Sequence, residues 1–179
     1  MQKKKVFIEI EIPQPVKKRL ARIIEKWQQL PIKWSKSESL HITVAFIGFV
    51  DESMLPEICE KVSQACQQID TFDFDLLEIK LAPSVENPQL VSFVGKASDE
   101  LKELNEKIEK ALGIKKHDHK EFHPHITLGR IRKAKWQQLK EKPVIEDKFH
   151  AVISVDSVQV MESRGGGAEY VALEHCPLK

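Results

Sequence analysis

The sequence predicts an α+β protein folded as one domain over residues 1–179 and built from two similar lobes. Three observations carry that reading. Strand and helix patterns fall into two strand-helix sets, and no linker rich in Gly, Pro or Ser divides them. The triplet His-Ile-Thr is also written twice, in "LHITVAFIG" at 40–48 and in "FHPHITLGR" at 122–130, placing His41 and His125 84 residues apart.

Residues 5–11, "KVFIEIE", alternate apolar and polar as a half-buried strand does, with the glutamates on the solvent side. After the Pro-bounded "PQP", Val16, Leu20, Ile23, Ile24 and Trp27 recur at helical spacing, so a helix is expected to about residue 29. "SLHITVAFIG" reads as a strand stopped by Gly48. A second helix is expected over about 53–68, opened by Ser53 with Pro56 in its first turn, its stripe being Leu55, Ile58, Val62 and Cys66. "FDFDLLEIKLA" and "LVSFVGKA", separated by "PSVENPQ", form the expected hairpin. "DELKELNEKIEKALG" carries Leu101, Leu104, Ile108 and Leu112 on one face and closes on Gly113. A basic loop follows, then the strand "HITLGRI", a short helical or irregular piece around Trp136, and three strand-like runs: "KFHAVISV", "DSVQVMES" and "AEYVALEH". "RGGG" at 164–167 makes a flexible turn between the last two.

Composition bounds the function. Hydrophobic residues at 41% and charged residues at 31% describe a soluble globular protein rather than a disordered or membrane one. No apolar run approaches the roughly 20 residues of a membrane span. The opening "MQKKKVFIEIEIPQP" is basic but lacks the continuous apolar stretch of a signal peptide, and three Cys without framework spacing suit a reducing compartment. A cytoplasmic setting is expected. Cys59 and Cys66, two helical turns apart, read as core residues. The net charge of +1 hides a basic stretch at 114–135, which could attract phosphate or simply be a solvated loop.

The repeated triplet carries the chemistry. Seven His and three Thr give an expectation of roughly 0.12 His-x-Thr triplets by chance, so two need an explanation. Strand propensity accounts for Ile and Thr but not for His. On a strand, residues i and i+2 share a face, so His41 projects with Thr43 and His125 with Thr127, while Ile42 and Ile126 go to the buried side. Two such strands across a cleft offer two groups that exchange protons near neutral pH and two hydroxyls for an anion. In-line displacement at phosphorus can use all four. One His takes a proton from water, the other protonates the departing oxygen, and the Thr hydroxyls hold phosphoryl oxygens, so no metal and no cofactor is expected.

These two motifs resemble those of the two-histidine phosphoesterase superfamily, and more narrowly its RNA 2′,3′-cyclic phosphodiesterase branch, also called the 2′-5′ RNA ligase family. The opening strand, "LHITVAFIG", "FHPHITLGR" and the tail "VQVMESRGGGAEYVALEHCPL" resemble successive blocks of that branch in order. The resemblance implies two antiparallel sheets facing across a central cleft, with helices on the outer faces. It implies that His41 and His125 are the catalytic pair, His41 as proton donor to the 3′ oxygen and His125 as proton acceptor from water, leaving a 2′-phosphate; the reverse assignment stays open. Thr43 and Thr127 would bind the phosphate. Arg130 and Phe46, each five residues after a motif His, match positions of the branch that hold substrate and stack a base. Strict alternation would turn both toward the core, so the strands must bend or end near Ala45 and Gly129. The tail keeps Ser163, Gly167, Ala168 and Tyr170 but has a shortened spacer without its Pro, which leaves substrate range open.

The expected partner is RNA with a 2′,3′-cyclic phosphate end, such as a tRNA fragment, or a small cyclic nucleotide, acted on by a monomer. Alternatives are 2′-5′ ligation of tRNA-like halves, hydrolysis of an ADP-ribose cyclic phosphate, and RNA-end binding without turnover. "HDHKEFHPH" has the His-x-His spacing of a metal site, but that reading leaves "LHIT" unexplained. His117 and His119 are expected to face solvent, His123 to support His125, and His150 and His175 to be satisfied strand residues.

Overall fold

The computed structural model describes residues 1–115 and 121–179. The strands are β1 (Lys3–Glu11), β2 (Ile32–Trp34), β3 (His41–Asp51), β4 (Phe72–Ala82), β5 (Leu90–Gly95), β6 (His125–Ile131), β7 (Glu146–Asp147), β8 (Ala151–Val155), β9 (Ser157–Arg164) and β10 (Glu169–Pro177). The helices are α1 (Gln14–Ile24), α2 (Leu55–Cys66), α3 (Asp99–Ala111) and α4 (Lys133–Gln137).

The architecture is α+β, but with one main sheet where two were expected. Its order is β10-β9-β1-β3-β6-β5-β4-β7, with β2 added on β6 and β8 on β4. The two halves join through a single antiparallel register pair, Ile42 opposite Ile126. Both residues are fully buried. The strands bearing the two triplets thus meet backbone to backbone, and the expected gap between two sheets closes into a seam.

Helices cover the sheet where their apolar stripes demand. α2 packs on α3, β9 and β10, and α3 on β3. Leu101, Leu104 and Ile108 are all fully buried, and Ser98 caps α3 by accepting the Leu101 N–H at 3.1 Å. α1 reaches the other half instead. Its Arg19 lies 4.1 Å from the Phe149 ring, and Lys26, just beyond it, pairs with Asp147. Thus the helix following β1 and the helix following β5 each cover the opposite half of the sheet. Among the described residues no helix is long and apolar enough to cross a membrane.

Several boundaries differ from the sequence reading. α1 ends at Ile24 and a 3-10 turn carries the chain through Trp27. Ser53 lies in a 3-10 turn and caps nothing, and α2 starts at Leu55. Gly48 does not stop β3; with φ of 89° it sits at a bulge, and pairing continues to Asp51 opposite Lys3. The short β2 and β7 carry too little pattern to be seen in sequence, being paired only by tertiary contact. The β4–β5 hairpin forms with antiparallel register, Ala82 opposite Leu90.

Candidate active site

The seam sets the geometry. Because Ile42 and Ile126 face each other toward the core, their neighbours His41, Thr43, His125 and Thr127 all stand on the opposite face of the sheet. The two imidazoles are close enough that a charge on His125 disfavours one on His41.

Each half then breaks its alternation at the same place. In β3 the register steps from Glu9–Thr43 to Ile8–Ala45, leaving Val44 as an extra residue. In β6 it steps from Ser92–Thr127 to Val91–Gly129, leaving Leu128 extra. Val44 and Ala45 are both buried, as are Leu128 and Gly129, and each bulge returns the next residue to the site face. Those residues are Phe46 and Arg130, both exposed. The bends that their placement required near Ala45 and Gly129 are these two bulges.

A bulge frees backbone polar groups, which must find partners if buried. The Val44 carbonyl accepts from buried Asn105 Nδ2 of α3 at 2.7 Å. The Leu128 carbonyl accepts from the Ser35 N–H at 2.8 Å, while Ser35 Oγ donates to the Thr127 carbonyl at 3.0 Å. Gly129 fits this corner because a Cβ there would meet Ile32 Cγ2 at 2.6 Å. Asn105 and Ser35 carry no motif, so only the structure reveals that they hold the site strands in shape.

The two His are held alike. His41 Nδ1 lies 2.7 Å from the Ser39 carbonyl and His125 Nδ1 lies 3.1 Å from that of His123. A carbonyl only accepts, so each Nδ1 carries a proton and leaves Nε2 for chemistry. The supporting role expected of His123 thus falls to its backbone. His41 Nε2 lies 3.1 Å from Thr43 Oγ1, which donates to it when the ring is neutral. His41 packs against Phe7 and Tyr170, with ring centroids 5.1 and 5.3 Å away. Burial is the main cause holding its pKa below the ordinary imidazole value, against the Ser39 carbonyl, which favours the charged ring; nearby His125 and Lys17 add to the lowering. His125 is exposed.

Glu9 is the residue most at odds with the sequence reading. Alternation placed it toward solvent, yet it is only 7% exposed, with Oε2 3.8 Å from His41 Nδ1. Its face of β1 is the site face, where it lies between Thr43 of β3 and Gln159 of β9. Burial, reinforced by Glu11 and opposed by Lys17, raises its pKa from 4.5 to about 7. A carboxyl that binds its proton more tightly folded than unfolded costs stability once ionised. The contribution of Glu9 to stability should therefore be fully present below about pH 4.5 and be lost as pH rises to about 7, by roughly 3 kcal/mol in all. Glu9→Gln should raise the melting temperature clearly at pH 8 and little at pH 4.5. An equal change at both pH values would rule out a buried, proton-holding Glu9.

Other candidates lie away from the seam. His150 Nε2 pairs with Asp75 Oδ1 at 2.6 Å on the surface, and His175 is exposed on β10. Cys66 is fully buried in the core, and burial pushes its thiol up to about 12, far from a reactive thiolate. Cys59 is half-buried rather than in the core. His117 and His119 lie outside the described residues; among those described, no three His, Cys, Asp or Glu side chains are grouped to hold a metal ion.

Residues 13–167 match the model of the 2′-5′ RNA ligase superfamily. The chain belongs to that superfamily. It is 32% identical over 134 residues to an RNA 2′,3′-cyclic phosphodiesterase of Methanocaldococcus jannaschii, covering 72% of each chain. It is 29% identical over 167 residues to one of Thermotoga maritima, covering 89% of this chain and 86% of that one. The solved TT0787 of Thermus thermophilus shares the fold at a TM-score of 0.81, with 20% identity and 97% coverage of both chains. The superfamily match spans both triplets together with Val44 and Leu128.

Proposed function

We propose that this superfamily member hydrolyses RNA 2′,3′-cyclic phosphate ends to 2′-phosphomonoesters, in the cytoplasm and as a monomer, using its two imidazoles as acid and base. The observation that carries the proposal is the convergence of His41, Thr43, His125 and Thr127 on one face of the seam, with each Nδ1 tied to a backbone carbonyl and each Nε2 free of the backbone. The curated relatives named for this activity support the same substrate class.

In this reading the cyclic diester sits between the rings, its free oxygens held by the Thr43 and Thr127 hydroxyls. His125 Nε2 takes a proton from water as its oxygen attacks phosphorus, and the P–O3′ bond breaks in line. His41 Nε2 gives the 3′ oxygen its proton, and the product keeps phosphate on O2′. Arg130 supplies a planar fork for phosphate or base, and exposed Phe46 a stacking face. Burial favours the neutral form of His41, whereas the negative charge of a bound diester favours its protonation. That lowered pKa also suits the reverse order, His41 as base. A p-nitrophenyl diester separates the two, because its leaving group needs no proton and rescues only the variant lacking the acid.

The deciding experiment offers a short RNA with a 2′,3′-cyclic phosphate in excess chelator and identifies the product. A 2′-phosphate formed at an undiminished rate is expected. Binding without turnover, or activity lost in chelator and restored by one divalent ion, would overturn the mechanism. A 2′-5′ linked dimer from two fragments would instead reveal ligation.

A further inference from the structure

The site face continues along β1 and β3 beyond Phe46. Register pairs Phe7–Phe46, Lys5–Phe49 and Lys3–Asp51 step away from His41, and Ser163 and Tyr170 flank them on β9 and β10. From Glu11, opposite His41, to Lys5 is six residues of strand, roughly 20 Å. At that end lies a groove of about 630 Å³ lined by residues 2–5, Phe49 and residues 162–166.

Charge and exposure in this groove favour one kind of occupant. Lys4 and Arg164 share the buried Glu162, at 3.2 and 3.0 Å, whereas Lys3 and Lys5 are exposed and have no ion-pair partner among the described residues. The groove is therefore net positive. Phe46 and Phe49 are 66% and 70% exposed, an arrangement that costs apolar hydration unless a flat partner covers them.

We propose that this strip binds the single-stranded RNA immediately 5′ of the reacting end, with Phe49 stacking a base beyond the one at Phe46 and Lys3 and Lys5 holding backbone phosphates. The proposal rests on the phosphodiesterase reading. A cyclic phosphate ends the strand at its 3′ side, so all remaining nucleotides leave the site in the 5′ direction. A basic groove with spaced aromatic faces is how single strands are held without sequence readout. The substrate class is then an oligonucleotide end rather than a free nucleotide.

The test compares kcat/KM for a nucleoside 2′,3′-cyclic phosphate and for a hexanucleotide with the same end. The hexamer should be favoured by about tenfold or more. Phe49→Ser and the Lys3→Gln/Lys5→Gln pair should each lower the hexamer-to-mononucleotide ratio several-fold, the lysine effect fading with salt. A hexamer with an abasic nucleotide at the second position should be insensitive to Phe49→Ser. Equal kcat/KM for both substrates in the unaltered protein, or a ratio unmoved by these substitutions, would overturn the proposal. If neither substrate turns over, the phosphodiesterase reading fails, and fluorescence anisotropy of a labelled hexamer still decides the groove. Affinity unchanged by the three substitutions overturns it; affinity weakened by them upholds it.

Discussion

Replacing either His41 or His125 with Ala should lower single-turnover hydrolysis of a cyclic-phosphate RNA end by about 10² to 10⁴, the usual contribution of one positioned proton-transfer group. Each imidazole has a separate proton to move, so neither can cover for the other. The rate of the unaltered protein against pH should be a bell, because one ring must be charged and the other neutral. kcat/KM reports on the free protein, in which burial lowers the His41 pKa, so His41 pulls the bell toward acid pH. The limb that disappears in His41→Ala identifies which proton that residue handles. A far-UV melt controls for folding, since His41 also ties its strand to the Ser39 carbonyl. A rate within a few-fold of the original in either folded variant would remove that His from the mechanism.

Thr43→Val or Thr127→Val should cut turnover by about 10² or more, the effect of removing one preorganised donor aimed at accumulating negative charge. Val matches Thr in branching and strand preference, and both positions are only partly buried, so the sheet should hold. Thr43→Val has a second consequence, because its hydroxyl meets His41 Nε2 at 3.1 Å in the free protein. Losing that contact removes a hydrogen bond to the neutral ring and shifts the pH profile, whereas Thr127→Val should lower the whole bell without moving it. Normal turnover in both folded variants would return the two triplets to mere strand sequence.

The chain's own order determined much of this. Alternation around Ile42 and Ile126 is local, so it puts His41 with Thr43 and His125 with Thr127 in any strand. The stripe of α3 and its Ser98 cap are local too, and both form where the spacing places them. Tertiary structure decided the rest. That the two strands meet at one register pair, making one sheet of an expected two, depends on partners 84 residues apart that no local pattern encodes. The bulges at Val44 and Leu128 turn Phe46 and Arg130 to the site face, and each exists because a distant group, Asn105 or Ser35, satisfies the carbonyl it frees. Glu9 shows the same limit most plainly. Its place in "KVFIEIE" fixes which face of β1 it occupies, but only its tertiary neighbours, His41 among them, buried that position, and burial then moved its pKa. Periodicity sorts side chains into two faces, and long-range packing decides which of those faces water can reach.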